Sequence, residues 1–263
     1  MTTGKFCNII DPYKVTENPK AVDYSHNCDY CFDTNMKSEE EEPYPDIDEW
    51  KHKWIPENGI VTYGVETKSN DLAIKDWENR ALAIALRTWQ LRIKDITFRR
   101  ERSGAVIPDI VMKFKSPEED SYFSSRPNVL AYAYFPGQGK VSGDVTFNDK
   151  YIWTRDGLPV NAHDVDPLNY PVETTVTFRT YNVIHTLTHE IGHSLGLRHN
   201  LHCDDCVMFP YYNGYVTLSK NDIERIQAFY GARNLSAWWD QYWHNRLIRK
   251  FNGKRTQRAI IDG

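Results

Sequence analysis

One stretch constrains this chain more than any other: HEIGHSLGLRH, from His189 to His199. His189 and His193 are four residues apart, so on a helix both imidazoles leave the same face. That is the spacing that presents two nitrogens to one zinc ion. Glu190, beside the first of them, can reach a water on that metal without ligating the ion. Zinc lowers the water's pKa, and a carboxylate then takes its proton. Gly196 follows His193 by three residues; a glycine there can adopt positive φ, end the helix and turn the chain back. His199 then returns as a third ligand. Three histidines with a fourth position left open describe a catalytic metal site rather than a closed structural one. The bare HExxH pattern is common by chance, whereas the longer pattern fixes three ligands, a base and a turn together. The competing reading, ordinary core and surface histidines on a helix, has to account for all of these positions at once.

The rest of the chain supplies enough material for a folded domain around that helix. Its 263 residues suit one large domain, or one domain with appendages. Hydrophobic residues are 40% of the chain and aromatic ones 13%, which is ample for a core. A formal net charge of −4 argues against general nucleic-acid binding. There is no apolar run long enough to span a membrane. MTTGKFCNIIDPYKV at the start lacks the apolar stretch of a secretion signal, so the expected location is cytoplasmic or reached by an unconventional export route. Monomers are expected.

Composition divides the chain into three parts. Residues 1–53 are polar, carry the acidic run SEEEEP at Ser38–Pro43, and have prolines at 12, 19, 43 and 45. They read as an extension with little regular structure and a solvated charge run. Residues 54–231 read as the domain. IVTYGV (60–65), ITF (96–98), DIVMKF (109–114), NVLAYAYF (128–135), GDVTF (143–147) and ETTVTFRTY (173–181) have strand composition. Helices are predicted from Asn70–Asp71 to about Arg92, over about Asn182–Leu195, and from a Ser219 cap to Gly231. This mixture gives an α+β class, an α/β sandwich. In residues 232–263, Trp239, Trp243, Leu247 and Phe251 recur every four residues, the pattern of one helix face. That basic tail reads as a helix packed on the domain, or alternatively as one meeting a membrane surface or an acidic partner.

Four of the five cysteines form two CxxC pairs, Cys28 with Cys31 and Cys203 with Cys206; Cys7 stands alone. In a chain without an export signal such pairs favour metal over disulfides. Two pairs can close a tetrahedral site of four thiolates, here tying the extension to the loop after His199. The expectation is therefore two zinc ions, one catalytic and one structural, with disulfides and free thiols as the alternatives for the cysteines.

The sequence resembles the metzincin peptidases, and among them the matrixins, the catalytic domains of matrix metalloproteinases. HExxHxxGxxH carries the resemblance first. Met208 in VMFPYY fits the Met-turn, with Pro210 and Tyr212 at matching places, and NVLAYAYFPG, GDVTFND, Trp54 and LSKNDIERIQAFYG extend the likeness over about Trp54–Gly231. The resemblance implies a twisted five-stranded mixed sheet with three helices, a Met208 floor beneath the metal, and a peptide or protein substrate lying extended along Val129, Leu130, Ala131 and Tyr132. Pro210 and Tyr212 would wall the S1′ pocket. His185, four before His189, would face that pocket, or else be a packed, hydrogen-bonded core histidine. His202 competes with His199 as third ligand but lacks the Gly-x-x spacing, so it reads as a loop residue.

The chain also departs from the family pattern. Two histidines that hold a structural zinc in matrixins are Tyr132 and Thr146 here, and Asp144 and Asp149 alone do not make a calcium site. Asn200 replaces the usual serine, PRCGxPD is missing, and a segment at 156–180 is longer and could add a hairpin near the cleft. The functional expectation is a zinc endopeptidase with Glu190 as general base. The alternatives are an inactive zinc-binding module that holds peptides in the same cleft, and a peptidase restricted to one intracellular partner or to itself.

Overall fold

The apolar segments assemble into one six-stranded sheet. Its strands are β1 (Phe6–Ile10), β2 (Ile60–Val65), β3 (Thr97–Arg100), β4 (Ile110–Lys115), β5 (Val129–Tyr134) and β6 (Val145–Asn148). Their spatial order is β1-β5-β6-β4-β2-β3. This computed structural model describes residues 6–10 (as backbone), 53–69, 71, 76–137, 139–165, 168–169 and 176–233, with 242, 245–246 and 248–249 in the tail. β2, β3, β4 and β6 run parallel, and β5 pairs antiparallel with β6. Those five are the mixed sheet that the sequence implies.

β1 is an addition to it. It pairs parallel with β5, Asn8 opposite Tyr132 and Ile10 opposite Tyr134. It is a five-residue strand in an extension expected to have little regular structure, most of which lies outside the described residues. The physical reason is at the partner: the outer edge of β5 is a row of backbone donors and acceptors, a template for any extended segment. The Cys28–Cys31 pair and the acidic run lie outside the described residues.

Among the described residues up to 233 there are five α-helices: α1 (Trp77–Gln90), α2 (Ser121–Ser125), α3 (Ala162–Val165), α4 (Val183–Ser194) and α5 (Lys220–Tyr230). The three long ones are those expected, with α2 and α3 as short additions. α1 begins at Trp77, later than the Asn70–Asp71 cap predicted; residues 70 and 72–75 lie outside the described set. α4 opens on Asn182, whose side chain accepts from the Ile184 and His185 amides. Such a cap contributes about 1 kcal/mol.

α4 is buried along its whole length. It packs on α1, and the Trp89 indole donates to the Thr188 carbonyl at 2.9 Å. Its last carbonyls, which no helical amide reaches, are also satisfied: Trp54 Nε1 donates to Ser194 O at 2.8 Å and the Tyr230 hydroxyl to Leu195 O at 3.0 Å. Gly196 then takes φ 98, the left-handed exit that the motif predicts.

The 156–180 segment forms the expected hairpin, β8 (Val160–Asn161) antiparallel to β9 (Thr177–Phe178). Beside it β10 (Thr180–Asn182) runs parallel to β7 (Ile152–Thr154) and delivers the chain to α4. Where a single strand was expected over 173–181 there are thus two short ones, and 173–175 are outside the described residues. In the tail, the five described residues are helical and Ile248 is buried against the main core. Trp239, Trp243, Leu247 and Phe251 fall outside the described residues.

Candidate active site

Helix α4 and the chain beyond it bring three imidazoles to one point. The Nε2 atoms of His189 and His193 are 3.0 Å apart, and that of His199 is 3.2 Å from each. Nitrogens about 2.0–2.1 Å from a tetrahedral ion lie about 3.3 Å from one another, so the triangle has the size such an ion imposes. The ring orientations agree. His189 Nδ1 lies 2.6 Å from Val207 O, and His193 Nδ1 lies 2.6 Å from Leu197 O. A carbonyl only accepts, so each Nδ1 carries the proton and each Nε2 turns a lone pair inward.

Burial holds the three rings neutral. Loss of water pushes His189 and His193 well below the ordinary histidine pKa, and neighbouring histidines add to this. His199 falls to about 3, through burial first and then the Arg225 guanidinium. Three neutral nitrogen lone pairs converging on one point, buried at His189 and His193 and half-buried at His199, repel one another unless a cation lies between them. The donor set therefore fits a divalent metal, and the three histidines form such a group among the described residues.

Glu190 sits one residue after His189 with no exposed surface. Met208 lies on the other side of α4's motif turn: a Cβ at Gly192 would collide with Met208 Sδ and approach Trp89 to 3.0 Å. The glycine of HEIGH is thus what lets the methionine pass under the helix. The turn carrying Met208 is held by Asp222 of α5, fully buried, whose carboxylate accepts from Val207 N at 2.9 Å and Met208 N at 3.3 Å. Asp222 also closes a capping box with Ser219 at the start of α5.

His185 stands one turn before His189 on α4, and Tyr212 packs against it. The His185 ring meets the Tyr212 ring edge-on, centroids 4.7 Å apart, and its Nδ1 is 2.6 Å from Tyr215 O. Burial lowers its pKa to about 4. The Tyr212 hydroxyl accepts from Asn182 N at 2.8 Å, tying the loop after Met208 to the cap of α4. Pro210 is buried. His202 is exposed and apart from the three converging rings.

Val129, Leu130, Ala131 and Tyr132 lie on β5, where β1 occupies the outer edge: Val129 is opposite Phe6 of β1, Ala131 opposite Phe147 of β6, and Tyr132 has partners on both sides, Asn8 and Thr146. At the two positions where the resemblance places zinc-binding histidines, Tyr132 and Thr146 face each other across β5 and β6. The Tyr132 hydroxyl donates to Asp120 Oδ2 at 2.7 Å, and Asp120 Oδ1 accepts from Tyr122 N at 2.9 Å. A hydrogen-bonded, aromatic cluster with Tyr122 and Phe123 braces that segment.

The cysteines differ from expectation. Cys203 and Cys206 are joined to each other in a disulfide. Oxidised sulfurs are not thiolates, so in this form they cannot supply half of a four-cysteine zinc site. Cys28 and Cys31, the other half, lie outside the described residues. Two features around the centre are not announced by the spacing of the histidine motif: the grip of Asp222 on the Met208 turn, and the contacts of α5 beside His199. The spacing of Asp222 from its capping Ser219 was the available clue to the first.

The matrixin family model matches residues 50–231 of the chain. The chain belongs to the matrixin family. Among curated proteins, matrilysin of Felis catus is 35% identical over 190 residues, covering 70% of this chain and 62% of matrilysin. Interstitial collagenase of Sus scrofa is 32% identical over 179 residues, 66% of this chain and 32% of the collagenase. Stromelysin-1 of Mus musculus is 30% identical over 183 residues, 67% and 33% of the two chains. The matrixin therefore spans about a third of the length of the collagenase and stromelysin relatives. The matched region contains His189–His199 and Met208, and the family is one of metalloendopeptidases with a metzincin fold.

Proposed function

We propose that this matrixin hydrolyses internal peptide bonds, using one zinc ion held by His189, His193 and His199 and Glu190 as general base. The observation that carries the reading is the triangle of Nε2 atoms with 3.0–3.2 Å edges, with Glu190 adjacent in sequence and buried. Zinc, when bound, supplies Lewis acidity for a water and for the scissile carbonyl. The chain does the rest. Val207 O and Leu197 O keep two imidazoles in the ligating tautomer. Glu190 takes a proton from the attacking water and passes it to the leaving amine nitrogen, while Met208 floors the centre.

Substrate recognition is proposed along β5 and at His185, Pro210 and Tyr212. An extended peptide would pair with the outer edge of β5 through its backbone. β1 already holds that edge, so a substrate that uses it has to displace β1. His185 and Tyr212, packed edge-on, would set the depth available to the residue after the scissile bond. The cysteines are read as a disulfide that closes the loop between His199 and Met208. No helix among the described residues is long and apolar enough to cross a membrane.

The test is a peptide-library digest read by mass spectrometry, with the wild type, with chelator, and with Glu190→Ala. Internal cleavage that chelator and Glu190→Ala both abolish supports the reading. Binding of the same peptides with no cleavage by zinc-loaded wild type would favour the peptide-holding module.

A further inference from the structure

Two of the three histidines are fixed by their helix and by a carbonyl on each Nδ1. His199 stands on a segment with neither helix nor strand, so its placement depends on what holds the chain to either side of it. On the near side, Arg225 Nη2 donates to the carbonyl of Arg198 at 2.9 Å. On the far side, Asn200 Nδ2 donates to Asn221 Oδ1 at 2.8 Å, and Asn200 N donates to Met208 O at 2.8 Å. Asn221 and Arg225 are four residues apart on α5, hence on one face. The helix is itself anchored by its capping box and by Asp222.

We propose that Arg225 and Asn221 are positioning residues for His199, gripping the backbone and side chain that flank it so that its Nε2 meets the other two. The inference rests on the proposed metal centre. Ligand distances in a metal site lie within about 0.2 Å of their standard values, and a histidine carried by a loop loses that precision when its flanks are released. The guanidinium is suited to the task because its rigid fork donates to a carbonyl at little cost in side-chain freedom.

The experiment measures zinc affinity by competition with a chromophoric chelator, the visible spectrum of the cobalt-substituted protein, and the melting temperature of the metal-free protein. Full-length wild type is compared with Arg225→Ala, Arg225→Lys, Asn221→Ala and, as a control on the exposed face of α5, Glu224→Ala. Outer-shell partners typically affect metal affinity by about 10- to 100-fold. The expected result is a loss in that range for Arg225→Ala and a smaller one for Asn221→Ala, with an altered cobalt spectrum in both. Arg225→Lys, which still donates, should restore most of the affinity, and Glu224→Ala should match wild type. Unchanged affinity and spectrum in Arg225→Ala and Asn221→Ala would overturn the proposal. So would affinity losses that follow a fall in metal-free melting temperature and are not restored by lysine. If Arg225→Ala does not fold, Asn221→Ala and Arg225→Lys are read by the same criteria. A wild type that binds no zinc, or zinc binding that survives His193→Ala, would instead sink the metal centre, and this inference with it.

Discussion

At the residue scale, Glu190 and His185 are both buried on α4 but make opposite demands. Glu190 needs the converging imidazoles to be useful; without a metal beside them there is no acidified water for it to deprotonate. Replacing it with glutamine keeps the volume and removes the base. Glu190→Gln should lower kcat/KM by about 10²- to 10⁴-fold and leave zinc affinity unchanged, as read by peptide kinetics and chelator competition. His185 needs to stay neutral. Its folded pKa is depressed to about 4 by burial, while in the unfolded chain it titrates at about 6.5. Between those values the unfolded chain binds the extra proton, so stability falls as pH drops from about 6.5 toward about 4, by about 1.4 kcal/mol per pH unit for this one group. Urea denaturation across that window should show the fall, and His185→Gln should reduce its slope by about that amount. An unchanged slope would mean that His185 does not titrate on unfolding.

At the element scale, the β1–β5 pairing sets the most specific expectation. If β1 competes with substrate, loosening it should raise cleavage. Consecutive amides of a strand point to opposite sides, so Asn8→Pro/Ile9→Pro removes whichever of the two donates to β5. The double variant should cleave extended peptides faster than wild type and should expose β5 amides to hydrogen exchange. Equal cleavage rates, with faster exchange on β5, would show that β1 does not obstruct substrate. This strand also marks where sequence reading stopped. Strands β2, β4, β5 and β6 were legible because their alternation or apolar runs are bounded by turn residues; β3, TFRR, was legible only where ITF overlaps it at Thr97 and Phe98. α4 and α5 were legible because Asn182 and Ser219 cap them and Gly196 and Gly231 end them. FCNII is five residues in a polar context, and its pairing depends on an edge contributed from more than a hundred residues away, which no local pattern announces. The same holds for the centre. The three histidines and Glu190 fall in one eleven-residue motif, whereas Asp222, Asn221 and Arg225 act across tertiary contacts that only the packing of α5 reveals.

At the scale of the whole molecule, one sheet, α1 and α4 form a frame, and the loops from Gly196 to Ser219 hang the centre from it. That run is held at several points: Asn200 N to Met208 O, the Cys203–Cys206 disulfide, Asp222 beneath Met208, and Tyr212 on Asn182. The sequence pointed to two metals because two CxxC pairs look alike whether they bind zinc or sulfur. The structure joins Cys203 to Cys206 in a disulfide, and the account depends on the histidines. The deciding measurement is zinc content per chain, by elemental analysis on protein purified without added metal, for wild type, His193→Ala and Cys203→Ser/Cys206→Ser. The account predicts a single zinc in wild type, its loss in His193→Ala, and its retention when the two cysteines are replaced. No zinc in wild type, or zinc that stays with His193→Ala and leaves with the cysteines, would contradict it.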